Sequence, residues 1–256
     1  MINKSNRLAS VIVVTCGEKN YLFRCLESLK LQSFPAVEVI VIDNSLNPSF
    51  SRKAKEYFPW IKAYSSERNL FYCASLNKGI ALSQGDFVFC LNDDVVLDKH
   101  FIQESLKSFL IDENIGMVSG KIFRLDGKTL DSTGLFLSIY HTPKERGYGE
   151  PDSGQFEKKG FIFGVSGCVA LYRRKMLEEI KEGDDYLDLD LRMFYEDLDI
   201  SWRTNKRGWK AYYTPKAIAY HVRGGSFRPE QGLNKPFARR YLNNQLYGDL
   251  IKNRYI

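Results

Sequence analysis

Short, continuous, β-branched runs, each ending in a polar residue, constrain this chain most. Ser10-Val-Ile-Val-Val-Thr15 is followed by Val37-Glu-Val-Ile-Val-Ile-Asp43, and then by Phe87-Val-Phe-Cys-Leu91, which stops at Asn92, Asp93 and Asp94. Such runs read as strands buried on both faces of a parallel sheet. Helical spacing fills the gaps between them. Leu22, Cys25, Leu26 and Leu29 mark Tyr21 to Gln32, which Pro35 ends; a helix through Ser51 to Tyr57, a short strand near Ile61 to Ser65 and a helix over about Tyr72 to Ser83 follow. This alternation predicts an α/β fold: a doubly wound, mostly parallel sheet with helices on both faces. Right-handed crossovers then gather Thr15, Asp43 and Asn92 to Asp94 on the sheet edge where ligands of open α/β folds bind.

Adjacent carboxylates at the end of a buried strand are costly unless a cation sits against them. Mg²⁺ or Mn²⁺ suits that place, because it takes carboxylate oxygens together with substrate phosphates. A solvated turn whose Asp residues cap the next helix is the plainer alternative. The first turn, Thr15-Cys-Gly-Glu-Lys-Asn20, is neither Gly-x-Gly-x-x-Gly nor a P-loop, which disfavours a dinucleotide dehydrogenase or P-loop ATPase.

After about Gly116 the pattern changes. Strand-like pieces (Met117 to Phe123, Leu135 to Tyr140, Phe161 to Tyr172) alternate with glycine-rich polar stretches, and Thr142 to Gly160 reads as a mobile loop. No linker divides the 256 residues, so we expect one domain over 1–256. The net charge of +6 is compatible with phosphorylated substrates or with peripheral contact at an anionic membrane surface, and no nucleic-acid-binding signature accompanies it. The five cysteines include no Cys-x-x-Cys pair, and the amino terminus has no apolar signal core. Both point to a cytoplasmic protein with reduced thiols.

A second acidic cluster runs from Asp184 to Asp199. Acids in a first helical turn are favourable for any helix, which accounts for Asp199. Glu196 and Asp197 precede the apolar periodicity of Leu198 and Trp202, where a helix start can aim a carboxylate into a cleft. Downstream, Trp209 to Pro215 reads as strand and turn, and Ala217 to His221 as a strand ending in a candidate metal ligand.

Taken in order, these segments resemble the inverting family 2 glycosyltransferases of the GT-A fold. The resemblance rests on Val11 to Thr15 with Asp43-Asn44-Ser45, Asn69 with Asn77-Lys-Gly79, Leu91-Asn-Asp-Asp94, Tyr195 to Arg203, Gly208-Trp209 and His221. Phe163 to Arg174 is similar to that family's acceptor-side segment, a small antiparallel extension. Asp126-Gly127, Asp131, Gly134 and Arg239 to Asn244 are similar to its rhamnosyltransferase-like branch. The resemblance implies a nucleotide-binding half (1–115), an acceptor and catalytic half (116–256), and a divalent metal (Mn or Mg) held by Asp94 and His221. It implies a nucleotide pocket with Thr15, Asp43, Arg68, Asn69, Asn77 and Asp93, and a catalytic base Asp197 assisted by Glu196. Ser166, Gly167 and Arg239 would lie on the acceptor side. The implied donor is a nucleotide sugar, dTDP-L-rhamnose ahead of UDP-hexoses, and the implied acceptor a glycan or lipid-linked glycan of a surface polysaccharide.

The chain departs from that pattern in places. Asn69-Leu-Phe-Tyr72 lacks the usual glycine, Asn44-Ser-Leu-Asn47 replaces Gly/Asn-Ser-x-Asp, and Asn92-Asp-Asp94 stands where Asp-x-Asp is common. The alternatives are a sugar nucleotidyltransferase, against which the single glycine of the first turn counts, and a catalytically silent nucleotide-binding subunit.

Overall fold

The first β-branched run forms β1 (Ala9–Thr15), buried along its whole length. A computed structural model describes residues 8–17, 20–137 and 143–224. In chain order β1 is followed by α1 (Tyr21–Lys30), β2 (Val37–Asp43), α2 (Pro48–Tyr57), β3 (Lys62–Ser65), α3 (Phe71–Leu82), β4 (Phe87–Asn92), β5 (Val95–Leu97) and α4 (Phe101–Ser108). The second half holds β6 (Ile115–Arg124), β7 (Leu130–Ser132), β8 (Leu135–Leu137), β9 (Pro143–Glu145), β10 (Gly160–Ile162) and β11 (Val169–Arg173). It ends with α5 (Arg174–Ile180), a 3₁₀ turn (Leu189–Leu191), α6 (Glu196–Lys206) and β12 (Lys210–His221). Residues up to Arg223 group into one unit.

The main sheet runs β10-β12-β6-β11-β4-β1-β2-β3, with β5 on β12 and β7 on β6. Strands β4, β1, β2 and β3 pair in parallel, as the strand–helix alternation requires. Antiparallel β11 joins this half to β6, which pairs in parallel with β12. Period-two alternation divides the core. Val11, Val13, Val39, Val41, Phe89 and Leu91 pack with Leu22, Leu26 and Leu29 of α1, Ala54 of α2 and Phe101, Ile102 and Leu106 of α4. Ile12 points the other way, onto α3. A Cβ on Gly79 would fall 2.3 Å from Ile12 Cγ2, so glycine is what lets α3 approach the sheet.

Several boundaries differ from the sequence expectation, each for a local reason. The expected strand over Phe161 to Tyr172 is broken between β10 and β11 by a turn carrying Gly164 and Gly167. The two strands expected around Pro215 are one, β12. Its register against β6 shifts between Tyr213 and Ile218, which brackets a proline with no N–H for the ladder. The expected mobile loop is instead structured from Pro143 onward. β9 pairs with β8, and Arg146 N–H donates to Gly134 O at 2.8 Å while Leu130 N–H donates to Glu150 O at 2.8 Å. Helix α2 begins earlier than expected, at Pro48, because Asn47 caps it by accepting from Ser49 N–H.

Candidate active site

Strand register assembles the first half of the site. β5 begins immediately after Asp94 and pairs with β12 so that Val95 opposes His221, and Val222 N–H closes on Asp94 O at 3.1 Å. His221 Nε2 then lies 3.2 Å from Asp94 Oδ1. Its Nδ1 lies 2.8 Å from Oδ2 of Asp131, which is fully buried in the middle of β7 and also receives Arg223 Nη1 at 3.0 Å. Burial alone would discharge the imidazole. Cys168, Asp131 and Asp94 around it outweigh burial and hold its pKa up to about 12. One donor atom each from Asp131, Cys168 and His221 lies within 4.8 Å of the others. Metal-ligating histidines commonly donate one ring N–H to a carboxylate, which fixes the ring and leaves the other nitrogen for the metal; Asp131 stands in that place here. Carboxylate oxygen suits Mg²⁺ or Mn²⁺, and imidazole nitrogen is a ligand of divalent transition metals, so these residues fit a divalent ion.

Thr15, Asp43 and Asp93 meet at the ends of β1, β2 and β4. Thr15 Oγ1 donates to Asp93 Oδ2 at 2.6 Å and accepts from Gly17 N–H at 3.0 Å. Asp43 is buried and accepts from Ser45 N–H at 2.8 Å and from the Ser51 hydroxyl. Each Asp43 carboxylate oxygen, with one such contact, has a second lone pair to offer a ligand. Arg68 is exposed on the β3–α3 connection, and the Asn69 side chain accepts from Phe71 N–H at 2.8 Å. Asn77 needs correction. Its amide donates to Asp185 Oδ1 (2.9 Å) and Leu187 O (2.8 Å), and its oxygen accepts from the N–H groups of Tyr186 (3.1 Å) and Leu187 (2.8 Å). With its hydrogen-bonding capacity engaged inside the protein, Asn77 staples α3 to the segment before the 3₁₀ turn and leaves the nucleotide set.

The second half of the site is the start of α6. Arg192, Phe194 and Tyr195 take left-handed backbone conformations, with φ of 54°, 73° and 65°. Such strain costs about 1–3 kcal/mol per residue and persists where the surroundings impose it, commonly at functional sites. It turns Glu196 and Asp197 toward the Ser166-Gly167-Cys168 turn. Gly167 N–H donates to Asp197 Oδ2 at 3.0 Å, and Leu198 N–H to Asp197 Oδ1 at 2.8 Å. Burial raises the Asp197 pKa, and these two N–H groups pull against the rise. Glu196 is buried, and its Oε2 has no hydrogen-bond partner among the described residues. Burial, followed by the charge of Asp197, pushes it up to about 8. A Cβ on Gly167 would fall 2.7 Å from Glu196 Oε1, so any larger residue there displaces the Glu196 carboxyl.

The Ser166 hydroxyl donates to Glu145 Oε1 at 2.8 Å, a carboxylate in the segment expected to be a loop and absent from the expected site residues. Its signal was weak: one acid in a polar stretch, with no apolar periodicity around it. Asp131 stands out in the sequence only through the resemblance, and its contact with His221 comes from the pairing of β7 and β12 with β6. Asp199 binds Arg203 at 2.8 Å on the same helix, as expected of a structural acid. Arg239 lies outside the described residues.

The family model described as glycosyl transferase family 2 matches residues 10–181. The chain is a family 2 glycosyltransferase. A Methanococcus voltae protein, named dolichyl N-acetyl-alpha-D-glucosaminyl phosphate 3-beta-D-2,3-diacetamido-2,3-dideoxy-beta-D-glucuronosyltransferase, is 25% identical over 226 residues, covering 84% of this chain and 67% of that protein. Two solved structures share the fold of this glycosyltransferase. GalNAc-T7 with UDP, GalNAc and Mn²⁺ gives a TM-score of 0.66 at 15% identity, covering 86% of this chain and 44% of that one. The mannosyltransferase PcManGT from Pyrobaculum calidifontis, in complex with GDP-Man and Mn²⁺, gives 0.62 at 18%, covering 94% and 66%. The family 2 glycosyltransferase thus spans only part of each neighbour's length. Among its described residues no helix is long and apolar enough to cross a membrane.

Proposed function

We propose that this glycosyltransferase moves a sugar from a nucleotide-diphospho-sugar to a hydroxyl of a glycan or lipid-linked glycan, with inversion at the anomeric carbon and a bound divalent ion. One observation carries the reading. Consecutive residues Gly167 and Cys168 link the two halves of the site: Gly167 holds Asp197, and the Cys168 thiol lies within 4.8 Å of a His221 ring nitrogen. A proton acceptor and a metal-type donor pair therefore flank one turn at the carboxyl edge of the sheet.

Asp94 and His221 would hold Mn²⁺ or Mg²⁺, which when bound offsets negative charge on the diphosphate. Thr15, Asp43 and Asp93 line the nucleotide side, with Arg68 and Asn69 closing over it. Asp197 takes the proton of the acceptor hydroxyl as its oxygen bonds to the anomeric carbon. The bond to the diphosphate oxygen breaks, and its electron pair leaves with the nucleoside diphosphate. With a pKa of about 8, Glu196 is a neutral acid at pH 7 and can donate a hydrogen bond to the acceptor. The rhamnosyltransferase-like segments favour dTDP-L-rhamnose, with UDP-hexoses next. The Methanococcus relative, named for dolichyl N-acetyl-alpha-D-glucosaminyl phosphate, supports a lipid-linked acceptor and with it a place at a membrane surface.

A thermal-shift panel of UDP, GDP and dTDP, and of their sugars, with and without Mn²⁺, tests the reading. A ligand at about 100 times its Kd stabilises by roughly 2.7 kcal/mol, enough for a clear shift. One nucleotide series should stabilise the protein, and only with the metal. No shift with any nucleotide in Mn²⁺ would contradict the proposal.

A further inference from the structure

Glu145 is a carboxyl group that the chemistry above does not use. It ends β9 opposite Leu135 of β8, and Leu135 N–H donates to Gly164 O at 2.9 Å, docking this small sheet on the turn that leads to Ser166. Both carboxyl oxygens accept a hydroxyl: Oε1 from Ser166 at 2.8 Å and Oε2 from Ser132. Ser166 is followed directly by Gly167, whose N–H holds Asp197 Oδ2. One dipeptide therefore grips Glu145 by a side chain and the proposed base by its backbone. The charged groups facing Glu145 are Asp197 from α6 and Arg223 from the residues after β12, and no ion pair of Glu145 forms among the described residues.

We propose that Glu145 is a positioning residue for sugar transfer: it braces the Ser166-Gly167 turn under Asp197 and, when ionised, places a second negative charge beside Asp197 that strengthens it as a proton acceptor. The inference rests on Asp197 being the base. Burial first, and then the charge of Asp197, lift Glu145 to about 7, with Ser132, Ser166 and Arg223 acting against the rise. The interaction between two such groups is mutual, so the ionised Glu145 raises the proton affinity of Asp197 in return. Below pH 7 Glu145 is neutral and this contribution is lost. Above it, the base is stronger while Glu196 still carries its proton until about pH 8.

The test uses Glu145→Gln, whose amide oxygen still accepts from Ser166, and Glu145→Asp. The assay is release of nucleoside diphosphate, with Mn²⁺, from the nucleotide sugar that most stabilises the protein in the panel above, water serving as acceptor. Glu145→Gln should keep nucleotide affinity, lose about tenfold in kcat at pH 8, and lose the rise in rate between pH 6 and pH 8, while Glu145→Asp recovers part of that rise. A wild-type pH profile in Glu145→Gln, or an equal loss at every pH, overturns the inference. Asp197→Asn, assayed alongside, separates the two readings: turnover retained there removes the base itself, whereas an inert Asp197→Asn beside a wild-type Glu145→Gln removes only the role of Glu145. If Glu145→Gln fails to fold, carboxyl NMR of ¹³C-glutamate protein decides, in the Glu196→Gln background that removes the other glutamate raised by Asp197. A glutamate titrating near pH 7 should move to lower pH in Asp197→Asn, and its staying put overturns the inference.

Discussion

His221 Nε2 lies 3.2 Å from Asp94 Oδ1 because β5 pairs with β12 directly after Asp94. With its pKa near 12, His221 carries a proton in the metal-free protein at neutral pH. A metal must displace that proton, so Mn²⁺ affinity should rise with pH, about tenfold per unit for one proton released. Calorimetry in buffers of differing ionisation enthalpy should show proton release that His221→Ala lacks. Asp94→Ala should abolish Mn²⁺-dependent nucleotide binding and His221→Ala should weaken it. Undiminished binding in Asp94→Ala would sink the assignment.

Glu196 affects stability as well as chemistry. Its folded pKa is about 8 against an ordinary 4.5, so between those values the native state binds a proton that the unfolded chain has lost. Stability contributed by the protonated group is complete below about pH 4.5 and declines as pH rises toward 8. Glu196→Gln escapes that decline. Its melting temperature should match the wild type near pH 5 and exceed it by several degrees near pH 8.5, as scanning calorimetry at both pH values would read. An equal difference at the two pH values would contradict the burial argument.

Asn77 should behave as a structural staple. Asn77→Ala strands the Tyr186 and Leu187 N–H groups and the Leu187 carbonyl in the interior, at a cost of about 2–4 kcal/mol. Urea denaturation should show the lowered midpoint, with nucleotide affinity of the folded variant unchanged. An unchanged midpoint with lost nucleotide affinity would return Asn77 to the pocket.

How much of this was legible beforehand depended on range. The buried runs of β1, β2 and β4 announced themselves because a strand buried on both faces is continuously apolar, and their polar ends followed from sheet topology alone. Residues brought together by register were not legible in the same way. Glu145 reaches Ser166 only because β8 and β9 pair, and Asp131 reaches His221 only because β7 and β12 share β6 as a neighbour. Asn77 failed in the opposite sense. Its place in a motif suggested a ligand, and its partners at residues 185 to 187 appear only in three dimensions.

The central claim is that Asp197, fixed by Gly167, accepts the acceptor's proton. The most direct test is turnover of Asp197→Asn at saturating donor and acceptor, paired with its donor affinity. Asparagine keeps an oxygen for the Gly167 N–H but cannot take the proton. We predict a loss of about 10²–10⁴-fold in kcat with donor affinity nearly intact. Wild-type turnover in Asp197→Asn would contradict the account.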